Sequence, residues 1–217
     1  MSGRKRIYLR IGLFLIGLLG LWGCGSPSSD SGQQIAMESE PKTELVYEGS
    51  MDLSYADNFT VDYYEGGYKL LTTTMDGAKY LLVPEKMPVP ECLEDGVVVL
   101  KQPVKNIYLV ASSVMDMFDG LDGLGAITFS GQKENGWYIE HAKEAMQNGD
   151  IVYAGKYNKP DYELLVSGDC SLAIENMMIS HAPEVREKLE EFDIPVMTEY
   201  SSYESHPLGR VEWVKFF

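Results

Sequence analysis

The chain has 217 residues, with 18 Lys and Arg against 33 Asp and Glu and a formal net charge of -15 at pH 7. So acidic a polypeptide repels phosphate backbones and anionic lipid headgroups, which argues against nucleic acid and against a basic membrane-binding face. The length suits one generous domain or two small ones.

The first 23 residues place Arg4, Lys5, Arg6 and Arg10 ahead of an apolar run over residues 11–23, which ends in Leu21-Trp22-Gly23-Cys24. A cationic flank, a short apolar stretch and a small residue before a cysteine make an export signal. The run is shorter than the roughly 20 apolar residues that span a bilayer comfortably. The pattern resembles the bacterial lipobox, which implies cleavage before Cys24, acylation of its thiol, and a chain held outside the cytoplasmic membrane by lipid. An uncleaved anchor helix is the competing reading, and it puts the body on the same side. Cleavage would take the basic count from 18 to 14 against 33 acids, a formal charge of -19. Of the three cysteines the lipobox uses one; Cys92 and Cys170 are expected as two free or buried thiols, with a disulfide the lesser alternative.

Residues 25–41, rich in Ser, Gly, Gln and acid, read as a flexible tether. Ordered structure is expected from Glu44. Residues 58–83 alternate apolar and polar, broken at Gly66-Gly67 and Asp76-Gly77, which predicts short antiparallel strands joined by hairpin turns. The proline-rich segment 84–91 reads as a loop, and residues 97–100 as a further strand.

From residue 106 the pattern changes to apolar runs separated by helical spacing. Strands are predicted at NIYLVASS, AITFSG, residues 151–154, CSLAIEN and IPVMTEY. Helices are predicted over residues 114–121, over residues 138–147 with Asn148-Gly149 as the stop, and from His181-Ala182-Pro183-Glu184 through Leu189. Strands spaced by helices imply right-handed βαβ units, so the expected fold class is α/β, a largely parallel sheet flanked by helices with an N-terminal antiparallel hairpin region. The last residues, LGRVEWVKFF, predict a helix with Val211, Val214 and Phe217 on one apolar side and no stop signal.

Several stretches together, FTVDYYEGGYKLL, NIYLVASSVMDMFDGLDGLGAITFSG, GWYIEHAKEAMQNGDIVYAGKYNKPDYELL, SLAIENMMISHAPEVREKLEEFDIPV and SSYESHPLGRVEW, resemble the first lobe of the iron-siderophore and cobalamin class of ABC-transporter substrate-binding lipoproteins. The resemblance covers residues 58–217. It implies a two-lobed clamp joined by a long helix, with a metal chelate held between the lobes and delivered to an ABC permease. It divides the chain into a signal peptide (1–23), a tether (24–43), a hairpin region (44–105), an α/β ligand-binding lobe (106–206) and the start of an interlobe helix (207–217), the second lobe being absent. Asp116, on the helix after the first α/β strand, matches the place where the family docks on its permease with a carboxylate.

Ligands of open parallel sheets sit beyond the carboxyl ends of the strands. Those ends bring Trp137, Tyr157, Tyr162 and Tyr203 together with Ser112, Ser113, Asn176 and Ser202, and Glu175 and Met177 flank Asn176. Aromatic faces with a few polar groups suit a bulky, partly apolar chelate. Lys133, Lys156 and Lys159 are the only cations near these ends, so a neutral hydroxamate chelate, a corrinoid or haem is expected ahead of a strongly anionic one. No cofactor is expected beyond that ligand. An enzyme is the weaker reading: there is no Gly-x-Ser-x-Gly or His-Glu-x-x-His, the three histidines are scattered, and Glu175 with Asp161 is the one acid pair to weigh. The serious alternative is a lobe without independent binding activity, serving as an interaction module or a remnant.

Overall fold

The computed structural model describes residues 44–217; the lipobox with Cys24 and the tether lie outside the described residues. Five strands, β1 (Tyr47–Ser50), β2 (Phe59–Tyr64), β3 (Tyr68–Thr73), β4 (Lys79–Val83) and β5 (Val97–Lys101), form a first sheet in chain order. The chain reverses at Gly66-Gly67 and Asp76-Gly77, with Gly66, Gly67 and Gly77 at φ of 81°, 84° and 72°, a region that penalises any side chain. β1 to β4 pair antiparallel, whereas β5 runs parallel to β4. A parallel return needs a crossover. The proline-rich loop supplies it, and Leu93 then packs on Tyr68, Leu81 and Val83 on one face of the sheet.

The second sheet is wholly parallel. Its strands, β6 (Ile107–Leu109), β7 (Ile127–Ser130), β8 (Val152–Tyr153), β11 (Leu172–Glu175) and β12 (Val196–Thr198), lie in the order β12-β11-β6-β7-β8. Between them run α1 (Ser112–Gly120), α2 (Glu140–Asn148), the small hairpin β9 (Gly155–Lys156) with β10 (Lys159–Pro160), α3 (Tyr162–Ser167) and α4 (Pro183–Glu191). The fold is thus the expected α/β class, with the antiparallel region beside a parallel sheet.

Parallel strands covered on both faces read as continuous apolar runs, and the alternation of their side chains sorts two cores. Ile107, Leu109, Leu172 and Ile174 point to one, shared with Phe59, Val61, Leu71 and Tyr80 of the first sheet and with Val114 and Met115 of α1. Tyr108 and Ala173 point to the other, closed by Leu165 of α3 and by Val185 and Leu189 of α4. Cys92 and Cys170 are both free, the first exposed and the second buried. Burial pushes the Cys170 thiol up to about 11.

The terminal segment departs from the expected apolar stripe. α5 (Pro207–Glu212) gives way to a 3-10 turn at Trp213–Lys215. Trp213 and Phe216 are buried at 0% and 4% exposure, while Val211 is 66% exposed. Their rings pack on Phe59, with centroids 4.9 Å and 5.2 Å away. Two carboxylates set this rotation. Glu212 accepts the backbone N–H groups of Ser54, Tyr55 and Ala56 at 2.7–3.1 Å. Glu204 accepts those of Asp57 and Asn58 at 2.9 Å and 3.0 Å and the Trp213 indole N–H at 2.8 Å. Holding these acids against residues 54–58 turns Trp213 inward and Val211 outward, so the expected apolar side of Val211, Val214 and Phe217 gives way to one built on Trp213 and Phe216.

Candidate functional site

The carboxyl ends of β6, β7, β8 and β11 open on a cleft of about 620 Å³. Its walls are built by interactions that tie each strand end to its neighbour. Gly131, just after β7, lies so close to β6 that a Cβ there would sit 2.9 Å from the Val110 Cα. Ser130 donates to the Gln132 carbonyl at 2.8 Å and accepts the Trp137 indole N–H at 3.1 Å, which pins the loop carrying Gln132, Lys133 and Asn135. Tyr108 donates to the Gly155 carbonyl at 3.0 Å, anchoring the hairpin that presents Lys156 and Tyr157. Asn176 accepts the Met178 N–H at 2.9 Å and so caps the 3-10 helix Met177–His181, whose Met178 closes the far side.

Of the residues singled out from the sequence, Ser112, Tyr157 and Asn176 meet in this cleft, together with Lys133 and Lys156. The others take different places. Trp137, 4% exposed, packs in the core behind the wall. Ser113 donates to Glu199 at 2.9 Å. Tyr162 packs on Phe192 at a centroid distance of 5.9 Å, beside the second core. Met177 lines a separate concavity with Asp76, Arg186 and Tyr200. Tyr203, 53% exposed, stands with exposed Ser202 on the turn after β12, outside the cleft lining. Asp116 is exposed on α1.

Glu175 ends β11 at 0% exposure, and neither of its carboxylate oxygens has a hydrogen-bond partner. Burial pushes its pKa up to about 8, against a smaller opposing pull from the Arg186 guanidinium. Asp161, its partner in the acid-pair reading, is engaged as the cap of α3, accepting the Leu164 N–H at 3.1 Å. The cleft residues not singled out beforehand include Tyr153, Gln132 and Asn135. β8 is two residues long, too short for alternation to show which way Tyr153 points.

A second pocket, of about 370 Å³, lies between the two sheets at the opposite ends of β6 and β11, where Ile107, Leu172, Leu71 and Phe118 line it. Its only polar lining side chain is Gln102, whereas ligand sites combine an apolar wall with convergent polar groups. The cleft at the carboxyl ends meets that description. Among the described residues no group of three or more His, Cys, Asp or Glu is placed to hold a metal ion. His141 pairs with Asp119 at 2.8 Å, a bond that raises its pKa, and His206 accepts the Leu208 N–H and stacks on Tyr55. No helix of the described residues is long and apolar enough to cross a membrane.

No family model matches the chain. Two relatives from Methanocaldococcus jannaschii, both described as uncharacterized lipoproteins, align with it. One is 26% identical over 192 residues, covering 80% of this chain and 45% of the relative. The other is 27% identical over 224 residues, covering 98% of this chain and 55% of the relative. The chain spans about half the length of the curated relatives it matches.

Proposed function

We propose that this chain is a lipid-anchored, extracytoplasmic binding protein, one lobe of the substrate-binding component of an ABC importer that captures a metal chelate of the iron-siderophore, haem or cobalamin kind. The observation that carries the reading is the cleft at the carboxyl ends of a parallel sheet, where Ser112, Tyr157 and Asn176 meet beside Tyr153 and Met178. Ligands of open α/β sheets are held at such an edge. The description of both relatives as lipoproteins supports lipidation at Cys24. Exposed Asp116 is available for permease docking, and the rest of the ligand is enclosed by a second lobe.

A binding role is preferred to a catalytic one because Asp161 is committed to capping α3 and Glu175 is sealed from solvent. Two experiments test the proposal. Titrating chelates into the protein should quench Trp137, which sits directly behind the cleft wall, and Tyr157→Ala with Asn176→Ala should weaken binding by about tenfold or more. Quenching that is unchanged in the double variant would move the ligand out of this cleft. Separately, Cys24→Ala should release the protein from the membrane fraction or leave it unprocessed, and unaltered fractionation would overturn the anchor.

A further inference from the structure

Charge is distributed unevenly over this acidic chain. The twelve residues lining the cleft include Lys133 and Lys156 and not one Asp or Glu. In a chain with 33 acids and 18 bases, that excess of bases is the reverse of the whole. Neither lysine forms an ion pair among the described residues, although Lys79, Lys143, Lys188 and Lys215 all do. Lys133 instead lies over the Tyr153 ring, 5.5 Å from its centroid, so one cation is held at the cleft wall by an aromatic face. Lys156 is fixed by the β9–β10 hairpin that Tyr108 anchors. The remaining wall adds no negative charge. α1 begins at Ser112 in the lining and carries no acid of its own in its first turn, and the one carboxylate held there, Glu199 on Ser113, lies outside the lining.

We propose that the cleft selects an anionic ligand, a chelate whose carboxylate-like or phenolate-like oxygens are taken by Lys133 and Lys156 and whose apolar edge lies against Tyr157 and Met178. This rests on the reading of the cleft as the chelate site. It replaces the expectation that a strongly anionic chelate is disfavoured, because inside a cleft the nearest charges dominate and the acids farther than a Debye length of about 8 Å are screened. The surrounding acidic surface then acts against non-specific polyanions, which cannot enter a cleft of this size, and leaves small anions to be chosen at the two lysines.

Two kinetically inert octahedral chelates of similar size separate the possibilities: the trianionic tris(oxalato)chromate(III) and the neutral tris(acetylacetonato)chromium(III). Each is titrated up to millimolar concentration into the full chain, by equilibrium dialysis and by tryptophan quenching, at low and high salt. The anionic chelate should bind at least about tenfold more tightly, with affinity falling as salt rises. Lys133→Gln with Lys156→Gln should remove that preference and flatten the salt dependence, while Lys159→Gln, on the same hairpin but outside the lining, should do neither. Equal or tighter binding of the neutral chelate, or an anion preference that survives the double variant, overturns the charge selection and leaves the chelate reading standing. Failure of both chelates to bind overturns the chelate reading and the inference with it.

Discussion

Replacing Glu175 by methionine should change how the stability of this protein depends on pH. The carboxyl is 0% exposed and has no hydrogen-bond partner on either oxygen, so the folded state resists its ionisation and its pKa rises from 4.5 to about 8. The folded state therefore holds this proton between those two values while the unfolded chain has lost it. Stability falls as pH rises wherever the native state binds more protons, so the penalty is small below 4.5, grows through the window and is complete above about 8. At about 1.4 kcal/mol per unit, the stretch from pH 5 to pH 8 is worth roughly 3 kcal/mol from this one group. Methionine fills the same volume without a polar atom to satisfy. Glu175→Met should thus gain about 1 kcal/mol at pH 5, from relief of an unpaired polar group, and several kcal/mol at pH 8. The His141–Asp119 pair also loses stabilising effect as pH rises, because the histidine pKa is raised; it is common to both proteins and cancels in the difference. Urea denaturation of wild type and variant at the two pH values measures it. Glu175→Gln, which cannot ionise but keeps an unpaired amide, should share the flat pH response at lower stability. A difference between wild type and Glu175→Met that is the same at pH 5 and pH 8 would refute the argument.

The terminal segment offers a second test, because Trp213 is fully buried against Phe59 and its indole N–H is held by Glu204. Trp213→Ala should cost about 3–5 kcal/mol in urea denaturation, and a loss below 1 kcal/mol would show that the segment does not pack on the first sheet. The Glu212 carboxylate, held down to about 2 chiefly by Lys215 and by the N–H groups of residues 54–56, adds stability above pH 4.5 that is lost as pH falls toward 2. Glu212→Gln should abolish that acid sensitivity and speed amide exchange at Ser54 to Ala56; unchanged exchange there would refute the clip. Among the thiols, peptide mapping after alkylation of the native protein should find Cys92 modified and Cys170 protected, since the second is buried and burial raises its pKa. Equal modification of both would mean that the second core opens readily.

Local order was legible in the residues themselves. Gly66-Gly67 and Asp76-Gly77 terminate strands whatever surrounds them, and the apolar runs ending in Val110, Glu175 and Thr198 could only be buried strands once helical spacing separated them. With that order comes the edge formed by the carboxyl ends of the strands, so Ser112, Tyr157 and Asn176 could be placed at one cleft from chain position alone. Which way a side chain turns at a strand end was decided elsewhere. Trp137 was captured by Ser130, Ser113 by Glu199, and Tyr162 by the packing of α3 near Phe192, each a partner that no local period specifies. The register change between β6 and β7 likewise puts Phe129 on the opposite core from Ile127, although the two have the same parity in sequence. Periodicity reports how a residue is disposed relative to its neighbours along the chain, and it fixes faces only where no bulge intervenes. Hydrogen bonds and burial depend on residues brought in from other elements, so the sealing of Glu175, the inward turn of Trp213 and the absence of acids from the cleft that holds Lys133 and Lys156 arise only when the strands are laid side by side.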